Sequence, residues 1–99
     1  MIMVTVPLPE RDAKGAKINS HIVNKIEADL LDTANGFSIT HGQTQDNDGK
    51  RTAVKFYSFE IERHDLGDLE ASVFRARRAL NLNDPVIMNV AELTTITIN

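Results

Sequence analysis

Three histidines carry the chemistry that is most readily used near neutral pH, because imidazole is both a common metal ligand and a proton carrier. His21, His41 and His64 are far apart, and no two have the i, i+4 spacing of a helical metal-binding pair. His41 alternates in phase with Phe37 and Ile39, so we predict that its ring starts on the buried face of a strand. We therefore expect no metal site, and His41 is the one candidate catalytic residue.

A wholly polar segment, residues 43–51, joins the second and third predicted strands. It contains Asp46-Asn47-Asp48-Gly49, which is similar to part of a calcium loop, yet the twelfth-position ligand would fall on Lys55 and strands flank the segment. These residue types also favour turns. We expect a solvated hairpin tip whose Gln43 and Gln45 are available to a ligand or partner.

Four arginines are grouped around the second predicted helix, with Arg63 before it and Arg75, Arg77 and Arg78 in its last turns. Guanidinium groups bind carboxylates and phosphates with paired hydrogen bonds. The simpler interpretation is a solvated helix end whose positive charges complement the helix dipole. We keep Arg63, Arg75 and Arg78 as candidates for a surface that meets an anionic ligand or partner.

Several other chemistries are excluded by the residues present. The chain has no cysteine, no serine in a Gly-x-Ser-x-Gly turn and no phosphate-binding glycine cluster. The third predicted strand carries Phe56, Tyr57 and Phe59, but not the order of basic, glycine and aromatic residues that stacks RNA bases. The formal charge of −3 removes the electrostatic basis of general nucleic-acid binding. We therefore expect no cofactor and no general nucleic-acid partner.

Hydrophobic periodicity predicts two amphipathic helices that position these residues. The first is capped by Asn19 or Ser20 and ends at Asn35-Gly36, and the second runs from about Asp68 to Leu80. Each has one apolar stripe at a 3.6-residue spacing, so each buries one side. The stripe residues are Ile22, Val23, Ile26, Leu30, Leu31 and Ala34 in the first helix and Leu69, Val73, Ala76 and Leu80 in the second.

Four strands are predicted at residues 2–6, 37–42, 52–62 and 86–90, and residues 93–98 either continue the last strand or form a fifth. Pro7 is expected to end the first strand because it cannot donate to the ladder, and residues 8–17 form a surface loop. In the third strand the apolar residues change phase between Phe56 and Tyr57. Either both faces of that strand are covered, or a β-bulge near Tyr57-Ser58 shifts its register.

The order β-α-β-β-α-β, with a possible extra C-terminal strand, predicts a single α+β domain over residues 1–99. Two helices that each bury one stripe need a common apolar surface, and a four-stranded antiparallel sheet supplies it. We expect a two-layer, ferredoxin-like split β-α-β sandwich with both helices on one face. The open face would carry Tyr57 or Phe59, which favours a homo-oligomeric interface there.

A few residues in the first half of the chain form a recognisable pattern: Thr5-Val6-Pro7, Asp12, Gly15, Leu30-Leu31 and Asn35-Gly36-Phe37. This pattern resembles small proteins of bacteria and their phages, which bring no assigned activity. In shape, the expected fold is similar to the trimeric PII and CutA proteins, whose flexible loop between strands two and three corresponds to residues 43–51. None of their ligand-binding motifs has a counterpart here, so the resemblance implies shape alone.

Three functions are compatible with the sequence. The first, which we favour, is a non-catalytic, homo-oligomeric module that binds a protein or a small anionic ligand through its sheet face and residues 43–51. The second is a phage-type inhibitor of a host defence system that binds a protein or sequesters a signalling nucleotide. The third is a small isomerase or monooxygenase-type enzyme that uses His41 as a proton carrier and needs an enclosed pocket around it.

The sequence also bears on location. No apolar run approaches the roughly 20 residues that a bilayer-crossing helix needs. The apolar N-terminus lacks the basic region of a signal peptide and is interrupted by Pro7. We therefore expect a cytoplasmic protein without membrane contact.

Overall fold

The structure is a computed structural model that describes residues 1–34 and 36–99. Asn35, which the sequence places at the end of the first helix, lies outside the described residues. The elements in chain order are β1 (Ile2–Pro9), α1 (Ser20–Thr33), β2 (Ser38–Gln45), β3 (Arg51–Ile61), a single 3₁₀ turn (Arg63–Asp65), α2 (Leu66–Ala79) and β4 (Asn89–Glu92).

The four strands form one antiparallel sheet in the order β2-β3-β1-β4. Strand β1 pairs with β3 without interruption from Ile2, opposite Ile61, to Pro9, opposite Val54. Strand β2 pairs with the other side of β3 over eight positions. This arrangement confirms the predicted two-layer, ferredoxin-like α+β sandwich.

The core lies between the sheet and both helices, which pack on the same face. Every second residue of β1 is buried, and the same alternation buries Tyr57, Phe59 and Ile61 of β3, whereas Val54 is buried in the other phase. Removing these apolar side chains from water is the main favourable contribution to folding. The core cluster consists of Ile2, Val4, Val6 and Leu8 from β1, Tyr57, Phe59 and Ile61 from β3, Ile26, Leu30 and Ala34 from α1 and its C-cap, and Leu69, Val73 and Ala76 from α2.

The expectation that Tyr57 or Phe59 lies on the open sheet face is wrong. Both are nearly inaccessible, at 2% and 0% exposure, and belong to the core under the helices. The pairing of β3 with β1 and with β2 is continuous over the described residues, so β3 contains no bulge there. Val54 and Phe56, which have the opposite phase to Tyr57 and Phe59, lie on the open face instead. On that face the Phe56 ring lies over Gly42, where an added Cβ would come within 2.9 Å of the ring.

The first strand is longer than the sequence predicts. It continues through Pro7 and Pro9, which lie opposite Phe56 and Val54 of β3. The expected break fails because β4 pairs only with residues 2–5 of β1. Beyond that point β1 is an edge on that side, where a proline without an N–H leaves no ladder bond unmade.

The first helix begins as predicted, whereas α2 begins at Leu66 instead of Asp68 and ends at Ala79. The Asn19 side chain caps α1 by accepting from the His21 N–H at 2.8 Å. Helix α1 ends at Thr33, where Ala34 adopts an extended conformation. Ile22 and Leu31, at the margins of its apolar stripe, are exposed. Neither described helix combines the length and hydrophobicity that crossing a membrane requires.

The C-terminal part of the chain differs most from the prediction. Strand β4 covers Asn89–Glu92 instead of residues 86–90, while Val86 and Met88 pack against the core without strand pairing. Residues 93–98 form no fifth strand within the described structure.

A polar network joins the two helices above the core. Arg75 of α2 donates two hydrogen bonds of 2.8 Å to the Asp29 carboxylate of α1. Arg75 also donates to the Ser72 hydroxyl at 2.9 Å, and that hydroxyl lies 2.5 Å from the Thr33 hydroxyl. The hydrogen bonds from Arg75 hold the pKa of Asp29 below its ordinary value of 3.8. Paired bonds of this kind fix the relative position of two elements.

We predict that Asp29 makes folding stability depend on acid pH. Because its folded-state pKa is lowered, its contribution is present above the ordinary carboxyl pKa and is lost as pH falls through the folded value. Asp29→Asn should lower the melting temperature at pH 7 by a few degrees and reduce the loss of stability between pH 5 and about pH 2. Asp32→Asn, on the exposed side of α1, is the control that should retain the wild-type pH dependence. Calorimetry across this pH range measures both, and identical profiles for Asp29→Asn and wild type would contradict the assignment.

Candidate functional site

A cavity of about 470 Å³ opens at the end of the sandwich where β1 ends and α1 begins. Its size falls within the range of small-molecule sites, roughly 300–1,000 Å³. One wall is apolar, whereas the mouth and the sheet side carry titratable groups. The apolar residues are Leu8, Pro9, Ile18, Val23, Ile26 and Leu80, and the polar residues are Glu10, Arg11, Lys17, His41, Lys55 and Tyr57.

The segment between β1 and α1 forms the rim of the cavity and is ordered by Asp12. The Asp12 carboxylate accepts the backbone N–H groups of Lys14 and Ala16, both at 2.9 Å. Gly15 adopts a left-handed conformation, with φ of 82°, that closes the turn. Arg11 and Lys17 then face each other as an antiparallel bridge. A segment expected to be a surface loop is therefore a compact turn that brings two cations to the cavity.

Two residues of the cavity lining, Tyr57 and Lys55, both contact the Glu27 carboxylate, one through a hydrogen bond and one through a longer ion pair. The Tyr57 hydroxyl donates to the Glu27 carboxylate of α1 at 2.8 Å, and the Lys55 ammonium lies 3.8 Å from the same oxygen. Burial raises the pKa of the Tyr57 phenol well above its usual range, and the hydrogen bond to Glu27 adds to the shift. The phenol therefore stays protonated and holds Glu27 in place from the sheet side.

His41 lies at the mouth, where its Nδ1 is hydrogen-bonded to Oε1 of Glu10. It stands opposite Lys55 in the β2–β3 register, so its ring is on the helix side of the sheet, as its phase predicts. The predicted burial is wrong, because β2 is the edge strand and 67% of the His41 side chain is exposed.

Positive charge is in excess around the cavity, although the whole chain carries −3. Among the described residues that line it, Arg11, Lys17 and Lys55 are cationic and Glu10 is acidic, while the Glu27 carboxylate contacts Tyr57 and Lys55 without lining the cavity. The Arg11 guanidinium donates to the Gly15 carbonyl at 3.1 Å, and Lys55 shares Glu27 with Tyr57. The excess of cationic side chains around the cavity therefore favours the binding of an anion, because opposite charges attract appreciably at short distances near a protein surface.

The other residues predicted for a ligand or partner surface do not join this cavity. Gln45 accepts from the Arg51 guanidinium at 3.3 Å, and Gln43 is exposed on β2 opposite Ala53. The polar tip is shorter than predicted because the strands extend to Gln45 and from Arg51.

Asp46 organises the short turn that remains between β2 and β3. Its carboxylate accepts the backbone N–H groups of Asp48 and Lys50, both at 2.9 Å. Gly49 adopts the left-handed conformation, with φ of 83°. The acidic oxygen that suggested part of a calcium loop is therefore used to close the turn.

The arginines predicted as one anion surface are separated from one another. Arg63 precedes α2 and pairs with Glu92 of β4, whereas Arg75 bonds to Asp29 of α1. Arg78 lies 6.0 Å from the centre of the Phe74 ring, in the range of a cation–π contact. These arginines therefore act in separate structural contacts.

Sequence reasoning missed Glu10, Lys17, Lys55 and Glu27 as site residues. Two signals for them existed. Lys55 shares the phase of Tyr57, which places it beside the tyrosine on the same face. A buried tyrosine also needs an acceptor for its hydroxyl, and Glu27 follows the buried Ile26 on the neighbouring helix. Glu10 and Lys17 come together only through the turn around Asp12.

Comparisons with known proteins bear on the fold. No family model and no curated protein matches the chain. The de novo designed protein Foldit4 is similar in structure, with a TM-score of 0.53 and 13% identity over 94% of this chain and 96% of that one. Rv0793 from Mycobacterium tuberculosis has a TM-score of 0.47 and 18% identity, covering 97% and 98% of the two chains. The designed ferredoxin-fold protein LFR1 1 has a TM-score of 0.44 and 13% identity, covering 99% and 89%. The likeness to Foldit4 concerns the fold alone.

We predict that Tyr57→Phe lowers the free energy of unfolding by about 1–2 kcal/mol at pH 7, because a hydrogen bond to a charged acceptor is lost inside the protein. Since the folded pKa of Tyr57 is raised, its contribution is retained below the ordinary tyrosine pKa and lost as pH rises through the folded value. The variant should therefore also lose part of the alkaline destabilisation that we expect for wild type above about pH 10.

Urea unfolding at pH 7 and at alkaline pH measures both effects. Glu27→Gln keeps an acceptor oxygen for the phenol and should cost less than Tyr57→Phe. Equal stability of Tyr57→Phe and wild type at both pH values would contradict the role of this hydrogen bond.

Proposed function

We propose that the protein is a non-catalytic ligand-binding module that holds a small organic anion with an apolar body in this cavity. The observation that carries the proposal is the combination of one apolar wall with an excess of cations at the rim and floor. Ligand sites commonly combine such walls with a few polar groups that fix orientation.

The arrangement defines how such a ligand would lie. Its apolar body would pack against Leu8, Val23 and Ile26, which belong to β1 and α1. Its anionic head would meet Lys17 at the rim and Lys55 at the floor. Because Lys55 lies as far as 3.8 Å from Glu27, it can turn toward an added carboxylate or sulfonate without breaking a short ion pair.

The position of His41 supports binding over proton-transfer catalysis. The bond of Nδ1 to Glu10 leaves Nε2 as the accepting nitrogen of the neutral ring, which suits a base. However, 67% of the side chain is exposed, and catalytic proton transfer gains most where water is excluded. The hypothesis of a phage-type inhibitor stays a prediction.

The charge requirement of the cavity can be tested with 8-anilinonaphthalene-1-sulfonate, a fluorescent probe with an apolar body and one anionic group. We predict saturable binding to the folded protein, seen as enhanced probe fluorescence. Lys17→Glu should weaken the binding at least about tenfold, because it removes an attractive charge and adds a repulsive one at the rim.

Lys14→Glu is the matched control, since it makes the same charge change on the exposed side of the same turn, outside the cavity lining. It should change the affinity only slightly. Equal effects of the two substitutions, or binding that appears only when the protein unfolds, would contradict the proposal.

A further inference from the structure

The segment that follows β4 has the sequence pattern of a strand but no strand partner among the described residues. The last backbone contact is the bond from the Leu93 N–H to the Met1 carbonyl at 3.2 Å. Residues 95–98 alternate threonine and isoleucine, both β-branched types that favour strands. Ile96 and Ile98 share one phase and are 81% and 90% exposed. Their apolar side chains are thus left in water.

The opposite edge of the sheet lacks the usual protection of an edge strand. Strand β2 is outermost in the strand order, and its eight residues include no lysine, arginine, aspartate, glutamate or proline. Natural proteins commonly place such residues on free edges to prevent pairing with another chain. Ile39, on the helix side of β2, is also 39% exposed. The edge therefore offers both free backbone groups and an apolar contact.

Residues 94–99 cannot reach across the sheet of their own chain to cover this edge. Strands β4 and β2 lie at opposite sides of the sheet, separated by three strand spacings or about 14 Å. Six extended residues span at most about 20 Å, so crossing the sheet would use most of the segment. Too few residues would remain to pair with β2. A second copy removes this limit because its segment can approach from outside.

We propose that residues 94–98 of one copy add as a strand to the outer edge of β2 in a second copy, with the reciprocal exchange completing a two-fold dimer. Backbone hydrogen bonds would supply the pairing, and Ile96 and Ile98 would pack beside Ile39. His41 is on the same strand as Ile39, so the added strand would bring a segment of the partner to the mouth of the cavity.

The molar mass of the purified full chain in solution, measured by light scattering, tests this dimer. We expect twice the 11.0 kDa of a single chain. The double variant Ile96→Lys/Ile98→Lys should have the mass of a single chain, because it places charges in the exchanged strand. Ile39→Lys should do the same from the edge side. Ile87→Lys is the matched control, since Ile87 is 68% exposed but belongs to neither segment, and this variant should remain dimeric.

Mixing the two disrupted variants gives the sharpest result. The Ile39→Lys chain retains an intact segment and the Ile96→Lys/Ile98→Lys chain retains an intact β2 edge, so one exchanged strand should recover a dimer with one chain of each. Circular dichroism confirms that each variant is folded. A single-chain mass for wild type would overturn the proposal, because residues 94–98 would then not pair with a second copy. A dimer that survives Ile96→Lys/Ile98→Lys would also overturn it, because the interface would then lie elsewhere.

Discussion

The register of β1 against β3 is the constraint on which the rest of the structure depends. It places Val4 opposite Phe59, Val6 opposite Tyr57 and Leu8 opposite Lys55, all on the helix side of the sheet. Along this face the side chains change from wholly apolar to phenolic and then to cationic. The core therefore gives way to the cavity between the Val4–Phe59 pair and the Leu8–Lys55 pair. A slip by one residue would turn this whole series to the open face.

Three closely spaced residues of helix α1 face the helix side of the sheet or helix α2. Ile26 packs in the core, and the adjacent Glu27 accepts the phenol of Tyr57. Asp29, one turn further along, bonds to Arg75 and thereby fixes α1 against α2. The position of Glu27 beside the cavity residues Tyr57 and Lys55 thus depends on the same helix docking that stabilises the fold. This coupling connects the stability of the sandwich to the geometry of the candidate site.

The overall fold could be predicted because its signals are local. The apolar stripes around Ile26 and Val73 and the cap at Asn19 indicate the helices without tertiary information. The errors arise where a distant strand decides the outcome. Pro7 continues β1 because β4 is short, and Tyr57 faces the helices because the β1–β3 register is unbroken.

The candidate site could be predicted only in part, since it depends on contacts between distant segments. His41 was found from its phase and residue type, whereas Tyr57 was predicted for the open sheet face and reaches the cavity from the helix side instead. Arg63 and Arg75 were grouped by sequence proximity, but a 14-residue helix of roughly 20 Å separates the ends near which they lie. Lys17 reaches the cavity only through the turn that Asp12 closes. The homo-oligomeric state, which the sequence also suggested, stays a prediction.

The central claim is that a small organic anion with an apolar body occupies the cavity between α1 and the helix side of the sheet. Methyl-selective NMR of the isoleucine, leucine and valine residues during titration with 8-anilinonaphthalene-1-sulfonate measures this occupancy directly. We expect saturable shifts in the methyl signals of Leu8, Ile18, Val23, Ile26 and Leu80, with little change at Ile87. Shifts confined to Val73 and Val86, which line a separate groove beside α2, would contradict it.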